Sequence, residues 1–124
     1  MANEVISVDG CRPELQGFVV RMEKKLRAND HKGGWTHERL GLLMGRLRME
    51  LIESHDALSS LNAALHTSED PDEIVDAVEH VRDELADVAN FCMMVAGRAH
   101  WLACERLSEI SQGLPGQTKE DEDG

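Results

Sequence analysis

Tyrosine is absent from this chain, and two phenylalanines and two tryptophans are its only large aromatic residues. β-Branched residues are sparse as well, while Leu, Ala, Glu, Arg and Met dominate, a bias that favours helix. The three cysteines, Cys11, Cys92 and Cys104, are odd in number and have no CxxC spacing. This excludes a disulfide framework and a zinc ribbon, and small core packing is the expected role of Cys92 and Cys104. Positive charge is scarce: 13 Lys and Arg face 24 Asp and Glu, for a formal charge of −11. A phosphate backbone needs a basic footprint, so a nucleic-acid binder is excluded. A nucleotide ligand is not, because a few bound cations invert the local field. No apolar run approaches the roughly 20 residues of a membrane span. Met1–Gly10 contain neither a basic segment nor an apolar core, so no signal peptide is expected and a cytoplasmic location follows. HExxH, P-loop, GxSxG and Glu-x-x-His signatures are all missing.

What remains is enough for one domain: 124 residues and 13.8 kDa. Residues 1–12 read as an irregular arm. Pro13 opens a first helix with an apolar face of Leu15, Phe18, Val19, Met22 and Leu26, fading at Asn29-Asp30. His31-Lys32-Gly33-Gly34-Trp35 must be a loop. A long second helix follows with Thr36 as its expected N-cap. Its seam is Leu40, Met44, Leu47, Leu51, Ser54, Leu58, Leu61 and Leu65, spaced alternately by four and three. Pro71 opens a third helix whose stripe is Ile74, Val78, Val81, Leu85, Val88, Cys92, Val95, Ala99 and Leu102, ending near Ile110. Residues 13–110 thus form the domain, and residues 111–124 an acidic tail expected to be disordered. The predicted fold class is all-α: an antiparallel helical bundle with two long motif-bearing helices. The run Phe91-Cys92-Met93-Met94-Val95-Ala96 is apolar nearly all round, so a homodimer or homotetramer is expected to cover it.

Two acidic pairs carry the chemistry. Glu50 and Glu53 lie one before and two after seam residue Leu51, and Glu84 and Asp87 lie one before and two after Leu85. Each i, i+3 pair shares a helix face. Antiparallel packing would bring the pairs face to face, where four carboxylates repel unless cations hold them. Oxygen-only ligation selects Mg²⁺ or Mn²⁺ over Zn²⁺. The competing explanation is a solvated charged face paired with arginine. His80, Phe91, Met94 and Arg98 continue the face of Glu84 and Asp87, offering a ring and a cation or, alternatively, a second packing surface.

The ordered set of a Gly-rich loop ending in Trp35, then Met49-Glu50-Leu51-Ile52-Glu53, then Glu84-Leu85-Ala86-Asp87 followed by Val88-Ala89-Asn90-Phe91, resembles the MazG-like all-α nucleoside triphosphate pyrophosphohydrolases. The resemblance spans roughly residues 14–105, with Met49 replacing the first Glu of the family motif and a long stretch between the motifs. The DHKGGW loop looks like the compact phage and bacterial members, which would place a phage-encoded chain in the host cytoplasm. The resemblance implies hydrolysis of a (d)NTP to (d)NMP and pyrophosphate, with Mg²⁺ (or Mn²⁺) on Glu50, Glu53, Glu84 and Asp87. Glu53 would also accept the proton of the attacking water. Lys32 or Arg98 would contact the outer phosphates, Trp35 and Phe91 would hold the base, and Asn90 is the nearest amide able to read the sugar or base edge. Some compact members prefer purine deoxynucleotides, which points to dGTP or dATP. The rival from another class is a non-enzymatic helical oligomer whose acidic face pairs with a basic partner.

Overall fold

The computed structural model describes residues 8–30 and 33–113. Residues 1–7, Lys32 and the acidic tail from residue 114 lie outside the described residues. A short 3₁₀ turn, Val8–Gly10, precedes three helices: α1 (Pro13–Ala28), α2 (Leu40–Thr67) and α3 (Pro71–Ser111). The 41 residues of α3 make a rod about 60 Å long. Only residues 68–70 separate α2 from α3, and the two helices pack together over much of their length as an antiparallel hairpin. The third helix is central: α1 packs on it and not on α2.

Local chemistry explains where α3 starts. Asp70 caps it, its Oδ1 accepting the Asp72 N–H at 3.0 Å, and Pro71 occupies the first helical position. The start of α2 corrects an expectation. Its N-cap is Arg39, without a side-chain cap, and not Thr36. The segment from Trp35 is instead drawn into a turn, closed by the Glu38 N–H on the Trp35 carbonyl at 3.1 Å. Two contacts with α3 fix that turn. Arg98 Nε donates to the Glu38 carbonyl at 2.8 Å, and the Trp35 ring lies so close to Gly97 that a Cβ there would sit 3.3 Å from it. Gly33, at φ +90°, supplies the left-handed residue that lets the loop reverse.

The seam between α2 and α3 also differs from the expected one. Leu47, Ser54 and Leu61 face α3 as read from the sequence, but the alternate positions are Leu43, Glu50, Ala57 and Ala64. Met44, Leu51, Leu58 and Leu65, expected in the seam, are 45%, 50%, 46% and 58% exposed. The helix is turned by about one residue, because small side chains let two helix axes approach closely and bulky ones do not. The buried residues are Leu43, Ala57, Ala64, Val81 and Ala86, with Ser54, Asn90 and Arg98 as polar members. The Ser54 hydroxyl is satisfied within its own helix by the Leu51 carbonyl at 2.8 Å. Cys92 and Cys104, expected as core packing, are exposed.

Ion pairs and one amide dock α1 on α3. Arg21 bonds Glu79 at 3.0 Å and Asp83 at 2.6 Å, and Lys25 meets Asp87 at 3.3 Å. These are two rows at i, i+4 spacing, basic on α1 and acidic on α3. Asn90 adds a bond from its Nδ2 to the Met22 carbonyl at 3.1 Å.

Candidate functional site

The rotation of α2 turns Glu50 inward, towards α3. There it joins Glu84 and Asp87, and oxygen atoms of the three lie within 4.8 Å of one another. Two helices therefore bring together three of the four carboxylates singled out from spacing. Glu53 is exposed and stands outside this group, at its edge and close enough to act on the Glu50 carboxyl. Packing of α2 against α3 sets the separation of the group, while the docking of α1 sets the position of Lys25 beside Asp87.

The electrostatics are those of crowded acids. Burial pushes the Glu50 carboxyl up to about 7, helped by the neighbouring Glu53 carboxyl and by the charges of Asp87 and Glu84. The Glu50 Oε2 atom is buried and has no hydrogen-bond partner. Burial also raises Asp87; the neighbouring Lys25 opposes this, and Asp83 and Glu53 reinforce it. A buried acceptor without a donor, among carboxylates that repel, fits a cation, and an all-oxygen donor set fits Mg²⁺ or Mn²⁺. Glu50, Glu84 and Asp87 are the residues that can hold it.

Beside the triad opens a cleft of about 690 Å³, a volume suited to a small-molecule ligand. Glu50, Asp87 and Asn90 line it, together with the rings of Trp35 and Phe91 and the thioethers of Met49 and Met94. Asn90 is 3% exposed, and with its Nδ2 engaged by Met22 its Oδ1 is left buried without a partner. Arg98, singled out as a phosphate contact, lies elsewhere. It is 6% exposed, stacked 5.1 Å from the centre of the Trp101 ring and bonded to the Glu38 carbonyl, and it is not part of the cleft wall. Lys32 lies outside the described residues. His80 approaches Glu84 at 3.8 Å. His100 and Cys104 form an exposed pair at 3.6 Å, too few ligands for a zinc site.

Two cations in the cleft wall, Lys25 and Arg46, were not singled out from the sequence. Arg46 stands one turn before Glu50, so i, i+4 spacing already placed it on the motif face of α2. Lys25 stands one turn after Arg21, in register with the acidic row Glu79, Asp83 and Asp87. Neither a protein-family model, nor a curated protein, nor a solved structure matches the chain.

Proposed function

We propose that this chain is a metal-dependent nucleoside triphosphate pyrophosphohydrolase of the MazG-like kind, converting a (d)NTP and water to a (d)NMP and pyrophosphate. The convergence of Glu50, Glu84 and Asp87 beside a cleft flanked by rings and cations carries the proposal. The three carboxylates would hold Mg²⁺ or Mn²⁺. Such an ion, when bound, neutralises triphosphate charge and acidifies water. Glu53, exposed at the edge of the triad, accepts the proton of the water that attacks the α-phosphorus. The new P–O bond forms as the bond from the α-phosphorus to its bridging oxygen breaks, and pyrophosphate departs. Arg46 is the cleft cation best suited to the phosphates, since a guanidinium binds them through a fork of donors. Trp35 and Phe91 offer faces for the base, and Asn90 reads the sugar or base edge. A purine deoxynucleotide, dGTP or dATP, is the proposed substrate.

The protein acts as a homodimer or homotetramer. The outer face of α2 supports this, because Met44, Leu51, Leu58 and Leu65 form a half-exposed row at heptad spacing. Within α2 the residues three and four positions from that row include Arg48 and His55 and no acid, although the chain carries −11. Two copies of so acidic a chain repel least where their acids are absent. The same row is what favours the second reading, a non-enzymatic oligomerisation module.

Hydrolysis in ¹⁸O-labelled water, run against eight ribo- and deoxyribonucleoside triphosphates, tests the proposal. Label in the monophosphate, with free pyrophosphate as co-product, is expected. Label in orthophosphate with accumulating diphosphate would place attack at the γ-phosphorus and overturn it. A chain that turns over no nucleotide, and whose melting Mg²⁺ or Mn²⁺ with nucleotide does not shift, would be the interaction module.

A further inference from the structure

Arg21 and Lys25 occupy equivalent positions on successive turns of α1, yet they meet different surroundings. Arg21 grips two carboxylates, Glu79 and Asp83, that are not members of the triad. Lys25 has a single partner, Asp87, which belongs to the triad, and it stands in the wall of the cleft. Its ammonium is a compact point charge on a flexible stem, able to leave one anion for another by changing rotamers, whereas the two-toothed grip of Arg21 is not. One lysine is also too little charge for its neighbourhood, which contains Glu50, Glu53 and Glu84 as well as Asp87. A divalent cation among the same oxygens would satisfy them better and would repel the ammonium at close range.

On the metal-dependent reading above, we propose that Lys25 is an exchangeable counter-ion. It holds Asp87 in the metal-free chain, gives that carboxylate up when the divalent cation enters, and then binds the phosphate groups of the substrate across the cleft from Arg46. Lys25 thus sets metal affinity and substrate affinity in opposite directions. An orienting or purely docking lysine would not do so.

Calorimetric titration with Mn²⁺, in the absence of nucleotide, tests the exchange on the wild-type chain and on Lys25→Met, Lys25→Arg and Arg21→Met. Lys25→Met is expected to bind Mn²⁺ roughly fivefold tighter or more, since a repelling charge is gone. Lys25→Arg should bind Mn²⁺ more weakly than wild type, because a guanidinium forks onto Asp87 and gives it up less readily, and Arg21→Met should stay near wild type. With Mn²⁺ present, Lys25→Met should bind an α,β-methylene nucleoside triphosphate roughly tenfold more weakly, the scale of one lost charge-assisted hydrogen bond. Unchanged or weaker Mn²⁺ binding by Lys25→Met would show a docking residue and overturn the exchange, leaving the metal reading intact. A wild-type chain that takes up no Mn²⁺ would overturn the metal reading, and the exchange with it. A measurement needing no variant is the ¹⁵N resonance of the Lys25 ammonium in the wild-type protein. Saturating Mg²⁺ should move it to the position of a solvated lysine, and a resonance indifferent to Mg²⁺ would refute the exchange.

Discussion

The two faces of α2 are built on opposite principles. The face towards α3 carries Leu43, Leu47, Glu50, Ser54, Ala57, Leu61 and Ala64, three leucines interrupted by small and polar residues. The outer face carries Met44, Leu51, Leu58 and Leu65, all large, apolar and about half exposed. In a chain folding only for itself the two sets would be exchanged, since burial of a Leu side chain contributes about 1.5–3 kcal/mol and burial of a carboxylate costs. The inner face forgoes that gain in order to place Glu50 beside Glu84 and Asp87. The outer face keeps the apolar area, where a second copy can use it.

The comparison breaks most sharply at the carboxylates. Replacing Glu50 or Asp87 by Ala is expected to lower pyrophosphate release by about 10²-fold or more, and Glu53→Ala by a similar factor through loss of the proton acceptor. Melting of the metal-free Glu50→Ala variant should be unchanged or higher, because one acid leaves a repelling cluster. Near-normal turnover in all three variants would remove the inner face from the chemistry. On the outer face the corresponding experiment is Leu51→Glu combined with Leu58→Glu. Light scattering should then report 13.8 kDa particles, with helix content preserved. A wild-type chain that is already monomeric at micromolar concentration would refute the assembly.

Much of the hairpin was legible beforehand. Pro13 and Pro71 marked helix starts by fixed φ and a missing donor, while the Asp70 cap of α3 emerged only in the structure. The four-and-three spacing of leucines on α2 marked a helix with an apolar stripe, but it does not say which neighbour the stripe faces. Leu51 and Glu50 are adjacent residues, and choosing Leu51 for the seam turned the helix outside in. Only the packing of α3 against small Ala57 and Ala64 resolves that choice. The site was legible to the extent that chemistry repeats along one helix. Glu84 and Asp87 share a turn, and Phe91 and Asn90 follow on the next. Arg98 extends the same periodicity but is taken by the Glu38 carbonyl, a backbone partner 60 residues away that no spacing announces. Lys25 was hidden for the same reason: its significance lies in Asp87, on another helix.

A smaller effect compares the two faces with the same chemical change. Leu43 is 1% exposed, so Leu43→Ala removes a fully packed side chain and should cost about 2–5 kcal/mol of stability in urea unfolding. Leu51 is 50% exposed, so Leu51→Ala in a chain already made monomeric by Leu58→Glu should cost less than about 1 kcal/mol. In the wild-type background the same Leu51→Ala change should cost more, because in the proposed assembly a second copy would cover its side chain. Equal costs in the two backgrounds would mean that the outer row is not the interface.

The most gradual effect is the response of the metal-free chain to pH, and it too separates the faces. Folding raises Glu50 from the ordinary 4.5 to about 7, so between those values the folded chain holds a proton that the unfolded chain has released. Stability must therefore fall as pH rises from about 4.5 to about 7, and this contribution levels off above that, where both states are ionised. Asp87, also raised by burial, acts with the same sign from its lower starting point. Metal-free melting curves should show the decline, and Glu50→Gln should flatten it, being unable to ionise. Leu51→Ala, on the outer face, should leave the slope as it is. Saturating Mg²⁺ should give its largest stabilisation at the alkaline end, where the carboxylates are ionised without competition from protons. Metal-free stability that rises between pH 4.5 and 7, once the slope of Glu50→Gln is subtracted, would contradict a carboxyl buried among acids at the inner face of α2.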